Sequence, residues 1–134
     1  MKYFLDTNIC IYYLNGTSNN VFQRIDAADI ADLHLSSVVT AELYYGAVKS
    51  TRQEKNLDRY LRFISTMEVI PFDHRASRIY GDIRANLESR GLRIGWNDLM
   101  IAATVLAHQG VLVTHNIGEF SRINGLVLED WTVQ

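Results

Sequence analysis

The strongest constraint on this chain is the alternation of very short apolar runs with longer helical patterns. The runs are rich in leucine, β-branched or aromatic side chains, as are strands buried on both faces of a sheet. They are Tyr3–Leu5, Leu33–Ser36, Glu68–Ile70 and Val111–Thr114, with Leu126–Leu128 as a candidate fifth. Because strands that alternate with helices are typical of parallel sheets, the pattern predicts an α/β fold with a mostly parallel, four- to five-stranded sheet flanked by helices.

The segments between these runs have apolar side chains at helical spacing. The predicted helices are, in chain order, Ile9–Leu14, Asn20–Ala28, Ser37–Lys49, Gln53–Thr66, Asp73–Arg90 and Trp96–Gln109. Gly91 and Gly110 follow the last two, where glycine commonly ends a helix in a left-handed conformation.

The length of 134 residues suits one domain, which we expect to span residues 1–134. A single cysteine, Cys10, excludes an internal disulfide, and its apolar neighbours predict a place in the core. Asp6 ends any signal-peptide core near the N-terminus, and the uncharged apolar stretch Leu99–Leu106 is far too short to span a membrane. We therefore expect a cytoplasmic protein without membrane attachment.

The net charge of −2 is unevenly distributed along the chain. Residues 1–48 contain 2 basic and 5 acidic groups, residues 49–93 contain 10 and 6, and residues 94–134 contain 1 and 4. If the two acidic ends meet in the fold, an acidic centre is flanked by basic surface, which suits a polyanionic substrate processed at a metal site. The alternative is a pair of solvated, charged helices in the middle of the chain.

Polar residues follow the predicted strands where each strand ends. In an open parallel sheet the binding crevice lies outside the carboxyl ends of the strands. Strand ends and the helix starts beside them should therefore bring four carboxylates together, those of Asp6, Glu42, Asp98 and Glu119.

Each carboxylate also has a simpler structural role open to it. Asp6 is able to cap the following helix, although Asn8 is better placed for this. Asp98 is able to cap its own helix, although Asn97 would serve equally and leave Asp98 spare. Glu119 follows a turn, where it would simply be solvated.

Glu42 is harder to explain in this way, because it shares a helical face with the apolar Val38, Val39 and Tyr45. A lone carboxylate on such a face is costly unless it is paired or metal-bound. Clustered carboxylates repel one another, and the segments that carry them hold no lysine or arginine. A divalent cation is the simplest remedy, and all-oxygen ligands favour Mg²⁺, or Mn²⁺ as a substitute, over zinc.

Other catalytic motifs are missing from the sequence. It has no GxSxG motif, no glycine-rich phosphate loop, no CxxC pair and no histidine pair at zinc-ligand spacing. Tyr44 and Tyr45 are core or interface candidates that would also be able to stack on a base.

Four blocks of the sequence resemble, in order and at the same spacing, the successive blocks of a PIN domain. They are Leu5–Asn8, Ser36–Ala47, Gly95–Ala103 and Val113–Phe120. The chain is similar in particular to the VapC toxins of type II toxin–antitoxin pairs, over nearly its whole length.

This resemblance implies a three-layer fold and a Mg²⁺-dependent endoribonuclease that cuts tRNA or another structured RNA and stops translation. It also implies a homodimer held inactive by a small cognate antitoxin. Asp6, Glu42 and Asp98 fall on the metal-binding acidic positions, and Glu119 falls on a further acidic position near the metal. Thr7 falls on the hydroxyl position beside the first aspartate.

PIN domains commonly have an aspartate where this chain has Asn116. The change removes one charge and weakens the case for a second metal ion, and it leaves Asn116 to ligate through its carbonyl or to orient a water. The candidates for holding the RNA backbone are basic residues of the middle segment, Lys49, Arg52, Lys55 and Arg59, whose alternative is plain surface charge.

Three other functions compete with this interpretation. A phospho-receiver module also clusters aspartates around Mg²⁺ but needs a lysine after a late strand, and no lysine follows Lys55. A catalytically idle PIN-like binding module would not need intact carboxylates. A DNA-directed or exonucleolytic enzyme would use the same site, since a fold does not by itself determine the substrate.

Overall fold

A computed structural model of the chain describes residues 1–133, which form a sheet of five parallel strands. The strands are β1 (Tyr3–Leu5), β2 (Leu33–Ser36), β3 (Glu68–Ile70), β4 (Val111–Val113) and β5 (Val127–Glu129). Their order across the sheet is β3-β2-β1-β4-β5, so the first strand lies at the centre. The predicted fold class is confirmed, with the fifth strand one residue later than expected.

Seven α-helices flank the sheet within the described part of the chain. They are α1 (Thr7–Asn15), α2 (Asn19–Ala27), α3 (Ser37–Lys49), α4 (Gln53–Ser65), α5 (His74–Ser89), α6 (Trp96–Ala107) and α7 (Ile117–Phe120). A 3-10 turn, Ile30–Asp32, precedes β2. Within residues 1–133, no helix has both the length and the apolar character needed to cross a membrane.

The core is built around the neighbouring strands β1 and β4. Leu5 of β1 and Val113 of β4 are register partners with no exposed surface, and Cys10 lies fully buried beside them in the core, as predicted. Because the parallel register continues past the strand ends, Asp6 and Thr114 lie next to each other at the carboxyl edge of the sheet.

Two predicted helix caps are wrong, although α6 begins at Trp96 as predicted. Asp6, and not Asn8, caps α1: it leaves β1 in an extended conformation, and its side chain accepts a hydrogen bond from the Thr7 N–H. Gly95, and not Asn97, stands at the cap of α6 and offers no side-chain bond to the helix. The helix α1 begins two residues earlier than predicted, because the chain turns directly after β1.

The glycines after α5 and α6 have different roles. Gly91 adopts the predicted left-handed conformation with φ of 69°. After α6 that conformation falls instead on Gln109, with φ of 52°. Gly110 is required for a different reason, since a Cβ there would lie 2.7 Å from the Phe4 ring and 3.0 Å from the Lys2 carbonyl oxygen. The helix end thus packs directly against the central strand.

Candidate active site

Asp6 is the most buried of the candidate carboxylates, with 8% of its surface exposed. Its Oδ1 accepts the Thr7 N–H at 2.9 Å, and its Oδ2 accepts the Thr114 hydroxyl at 2.7 Å. Burial raises the pKa of Asp6; the bonds from Thr114 and Thr7 act against this, and the charge of Glu42 adds to it. Both carboxylate oxygens are therefore held in fixed directions.

Thr7 joins Asp6 to Glu42. Its hydroxyl donates to Glu42 Oε1 at 2.7 Å, across the gap between the first turn of α1 and the middle of α3. Glu42 is half-buried on α3, whose neighbouring side chains Val39 and Leu43 lie in the core. This bond gives a carboxylate on an apolar face a hydrogen-bond partner.

Glu119 belongs to a short element that the sequence pattern did not predict, the four-residue helix α7. Its Oε2 accepts a bond of 3.3 Å from the side-chain amide of Asn116. Asn116 is itself fixed by its backbone N–H, which donates to the Thr114 hydroxyl oxygen at 3.0 Å. Thr114, fully buried, therefore contacts both Asp6 and the segment that leads to Glu119.

Asp98 lies half-buried in the first turn of α6. Burial, reinforced by the charges of Asp6, Glu42 and Glu119, raises its pKa to about 6. Three segments far apart in sequence thus act electrostatically on one carboxylate, as the strand-end argument predicted. Among residues 1–133, none of the four carboxylates is ion-paired with a lysine or arginine.

The donor chemistry of this cluster fits a hard divalent cation, because every ligand is an oxygen and no positive side chain offsets the repulsion. The side chains as they stand do not form a ready-made site: in the described chain, no three His, Cys, Asp or Glu side chains are arranged to hold a metal ion. Glu42 is engaged by Thr7, and Asp6 by Thr7 and Thr114. The metal-binding roles of Asp6, Glu42 and Asp98, and the catalytic role of Glu119, remain predictions.

A cavity of about 550 Å³ opens beside the carboxylates, between α1, α3 and α6. Thr7 and Glu42 form one side of it, and Tyr45, with 65% of its surface exposed, forms another. Its remaining lining residues are Ser37, Val38, Ala41, Asn97 and Met100. Thr7 and Glu42 are therefore accessible from the cavity.

The basic candidates of the middle segment separate into two kinds. Lys49, Arg52 and Lys55 are exposed, as a contact to RNA requires. Arg59 has a structural role, because its Nη2 donates to the Leu14 carbonyl oxygen at 2.6 Å. This bond caps the end of α1 and removes Arg59 from the candidates for the RNA backbone.

Thr114 is the site residue that the sequence argument did not select. It was recognised only as the end of a strand, although its position beside the central strand was a usable signal. Parallel pairing of the first and fourth strands places the residues after Leu5 and Val113 side by side, and a hydroxyl there is the natural partner of Asp6.

The fold and the site are those of a known family. The family model of the PIN domain matches residues 3–126, so the chain belongs to the PIN domain family. Within it, the chain is 42% identical to Ribonuclease VapC2 of Rickettsia felis over 132 residues, which cover 98% of each protein. The resemblance to VapC proteins drawn from the sequence blocks is confirmed.

Two further comparisons agree. The chain is 38% identical over 131 residues to the tRNA(fMet)-specific endonuclease VapC of Salmonella typhimurium, with 98% of both chains covered. It also superposes, with a TM-score of 0.90 and 41% identity, on a chain in the crystal structure of VapBC2 from Rickettsia felis bound to a DNA fragment from their promoter. That match covers 98% of this chain and 99% of the other.

Proposed function

We propose that this chain is a Mg²⁺-dependent endoribonuclease toxin that cleaves tRNA or another structured RNA and thereby inhibits translation. The observation that carries the proposal is the convergence of four carboxylates at one edge of the sheet, none of them ion-paired with a lysine or arginine among residues 1–133. Burial, reinforced by the charges of the other three carboxylates, raises the pKa of Asp98 to about 6. Support for the activity comes from the VapC relatives, one of which is named as a tRNA(fMet)-specific endonuclease.

Asp6 and Asp98 would hold the metal ion, with Glu42 completing the shell directly or through a water. When bound, Mg²⁺ neutralises charge on a phosphate oxygen and lowers the pKa of a coordinated water. The protein's own contribution is orientation and proton transfer. Thr7 and Thr114 fix Asp6, and Thr7 directs Glu42. Asn116 directs Glu119.

Glu42 is the candidate acceptor for the proton of the attacking water, because its Oε1 is fixed by Thr7 while the residue borders the open cavity. Attack of the water oxygen on phosphorus, with departure of the 3′ oxygen, which takes up a proton, yields a 5′-phosphate and a 3′-hydroxyl. The exposed Lys49, Arg52 and Lys55 are suited to hold the polyanionic backbone near this point.

A small cognate antitoxin is the expected partner, since structures of VapC relatives are toxin–antitoxin complexes. Its C-terminal segment would lie along the early helices and those of residues 38–67, where Phe22 and Leu61 are 44% and 51% exposed. A basic side chain of the antitoxin directed at the carboxylates would supply the charge that the cluster lacks. A homodimer is also part of the proposal.

The test is cleavage of purified total tRNA by the wild type and by Asp98→Asn, each with Mg²⁺ and with EDTA, and with mapping of the RNA ends. We expect cuts with 5′-phosphate ends that require both Mg²⁺ and Asp98. Asp82→Asn is a matched control, because Asp82 is an exposed aspartate on α5 that pairs with Arg78.

Other outcomes would contradict the proposal in distinct ways. Identical cuts by wild type and Asp98→Asn would place the activity outside this site. Cleavage of DNA in preference to tRNA would favour the DNA-directed alternative. Binding of RNA without any cleavage would favour an idle binding module.

A further inference from the structure

A second cavity, of about 610 Å³, lies between the end of α5 and the start of α6. Trp96 borders it from the first position of α6, two residues before Asp98. Residues two apart in a helix point in nearly opposite directions but differ by only about 3 Å along its axis. The cavity and the carboxylates therefore lie on two sides of the same helix end.

Trp96 is unusually accessible for its residue type. Its exposed fraction is 68%, whereas the other tryptophan, Trp131, is 2% exposed and packs against Tyr3. Leu87 and Leu99 form the apolar floor of the cavity beside it. An exposed indole over an apolar recess is a surface on which a planar ring is able to stack.

Positive charge surrounds this indole. The Arg84 guanidinium carbon lies 5.8 Å from the centre of the Trp96 ring, and bonds of 3.1 Å to Tyr80 and Glu88 hold Arg84 in place. Arg93 borders the same cavity and forms no ion pair within residues 1–133. Glu88 neutralises the charge of Arg84, so the positive charge of Arg93 is available to an anionic ligand.

We propose that Trp96 is a stacking platform for an unpaired base of the RNA substrate, and that Arg93 contacts the phosphate that adjoins this base. The proposal rests on the proposed ribonuclease function and names how its substrate is held. A ring that stacks on an indole, joined to a phosphate within reach of an arginine, is the chemistry of a nucleotide. Trp96 and Asp98 lie on opposite sides of the first turn of α6, so an RNA strand that contacts both has to pass around this helix end.

Intrinsic fluorescence tests the contact directly. Trp96 is the exposed one of only two tryptophans, so an RNA base stacked on it should quench most of the accessible emission. We expect tRNA to quench Asp98→Asn, which binds without cutting, and to leave Asp98→Asn/Trp96→Phe nearly unchanged. The buried Trp131 provides the constant background.

Kinetics provide the second readout. Trp96→Ala should raise KM for tRNA roughly 5- to 150-fold, the range for loss of one base–aromatic stack, with a smaller change in kcat. Trp96→Phe should restore most of the loss. Arg93→Gln should lower the salt dependence of binding by about one phosphate contact, whatever the RNA sequence. Ile30→Ala, in the 3-10 turn before β2, is the control for removal of a large exposed apolar side chain.

Three outcomes would overturn the platform. Unchanged KM and unquenched fluorescence, in a wild type that cleaves tRNA, would remove Trp96 from substrate binding and leave the ribonuclease proposal standing. A shift of Trp96→Ala from dimer to monomer in sedimentation, with RNA binding per active site unchanged, would identify Trp96 as a contact between copies of this chain. Absence of any RNA cleavage by the wild type would overturn the proposed function and the platform together.

Discussion

The Thr7 hydroxyl donates to the Glu42 carboxylate at 2.7 Å, while the Thr7 backbone N–H binds Asp6 at 2.9 Å. One threonine therefore positions two acidic groups, one at the cap of α1 and one in α3, that are 36 residues apart in sequence. Repulsion between the two carboxylates is tolerated because each has a donor from the same residue. Thr7 is thus a positioning residue of the candidate site.

Removal of this hydroxyl should affect catalysis more than folding. We expect Thr7→Val to lower kcat for RNA cleavage about 10- to 100-fold, the usual cost of losing a partner that orients an acidic group at a metal site. The free energy of unfolding should fall by only about 1 kcal/mol. Thr7→Ser, which keeps the hydroxyl, should recover most of kcat. Loss of activity in Thr7→Val that merely parallels loss of folded protein would contradict the positioning role.

The raised pKa of Asp98, about 6, predicts how stability depends on pH when no divalent cation is present. An unfolded aspartate titrates near pH 3.9, so between about pH 4 and 6 the folded protein binds more protons than the unfolded chain. Stability should therefore fall as pH rises through this window. In EDTA above pH 6, Asp98→Asn should be more stable than the wild type by about 1–2 kcal/mol, a figure reduced for solvent screening.

Urea unfolding at pH 4, 5, 6 and 7 measures this difference, with Asp82→Asn as the exposed control. The advantage of Asp98→Asn should shrink toward zero at pH 4. Added Mg²⁺ should raise the Tm of the wild type more than that of the variant, because a ligand stabilises only the state that binds it. A stability gain that is the same at pH 4 and pH 7 would exclude carboxylate repulsion as its cause.

The space around two glycines predicts opposite effects for their substitution by alanine. Gly110→Ala should destabilise the protein by about 1–3 kcal/mol, because the new Cβ meets the Phe4 ring at 2.7 Å and the Lys2 carbonyl. Gly81→Ala, in the exposed middle of α5 with open space around it, should stabilise by about 1 kcal/mol. Thermal unfolding of the two variants decides this, and a stabilised Gly110→Ala would contradict the packing.

Arg59 and Lys55 should respond differently to loss of charge. Arg59→Gln removes the bond to the Leu14 carbonyl and should cost about 1–2 kcal/mol of stability. Lys55→Gln, at an exposed position on the same helix, should change stability by less than about 0.5 kcal/mol and act only on RNA affinity. Equal stability of the two variants would show that the Arg59 contact is not structural.

The arrangement of strands and helices was largely predictable, because buried strands and amphipathic helices have strong periodic patterns. Ser37–Lys49 was predicted at both ends, and each strand to within one residue. The errors lie where the pattern is short or local: α7 has four residues, and the caps of α1 and α6 depend on where the chain turns. Gln109 shows the same limit, since a left-handed residue other than glycine has no signal of its own.

The convergence of the carboxylates followed from topology alone, whereas their hydrogen bonds did not. Strand ends predicted that Asp6 and Asp98 would influence each other, and the pKa of Asp98 bears this out. The partners of Asp6 and Glu42 depend on rotamers and on sheet register, which a sequence does not display. For this reason Thr114, a small hydroxyl residue with no distinguishing motif, was overlooked.

The central position of β1 has a consequence for the order in which the protein becomes active during synthesis. When β1 leaves the ribosome, its partner β4 has not yet been synthesised, because β4 ends at residue 113. The hydrogen-bond partner of Asp6, Thr114, is also synthesised late, and Asn116 and Glu119 follow it. A nascent chain that ends before Glu119 lacks part of the acidic cluster. The complete cluster therefore forms only after Glu119 has been synthesised.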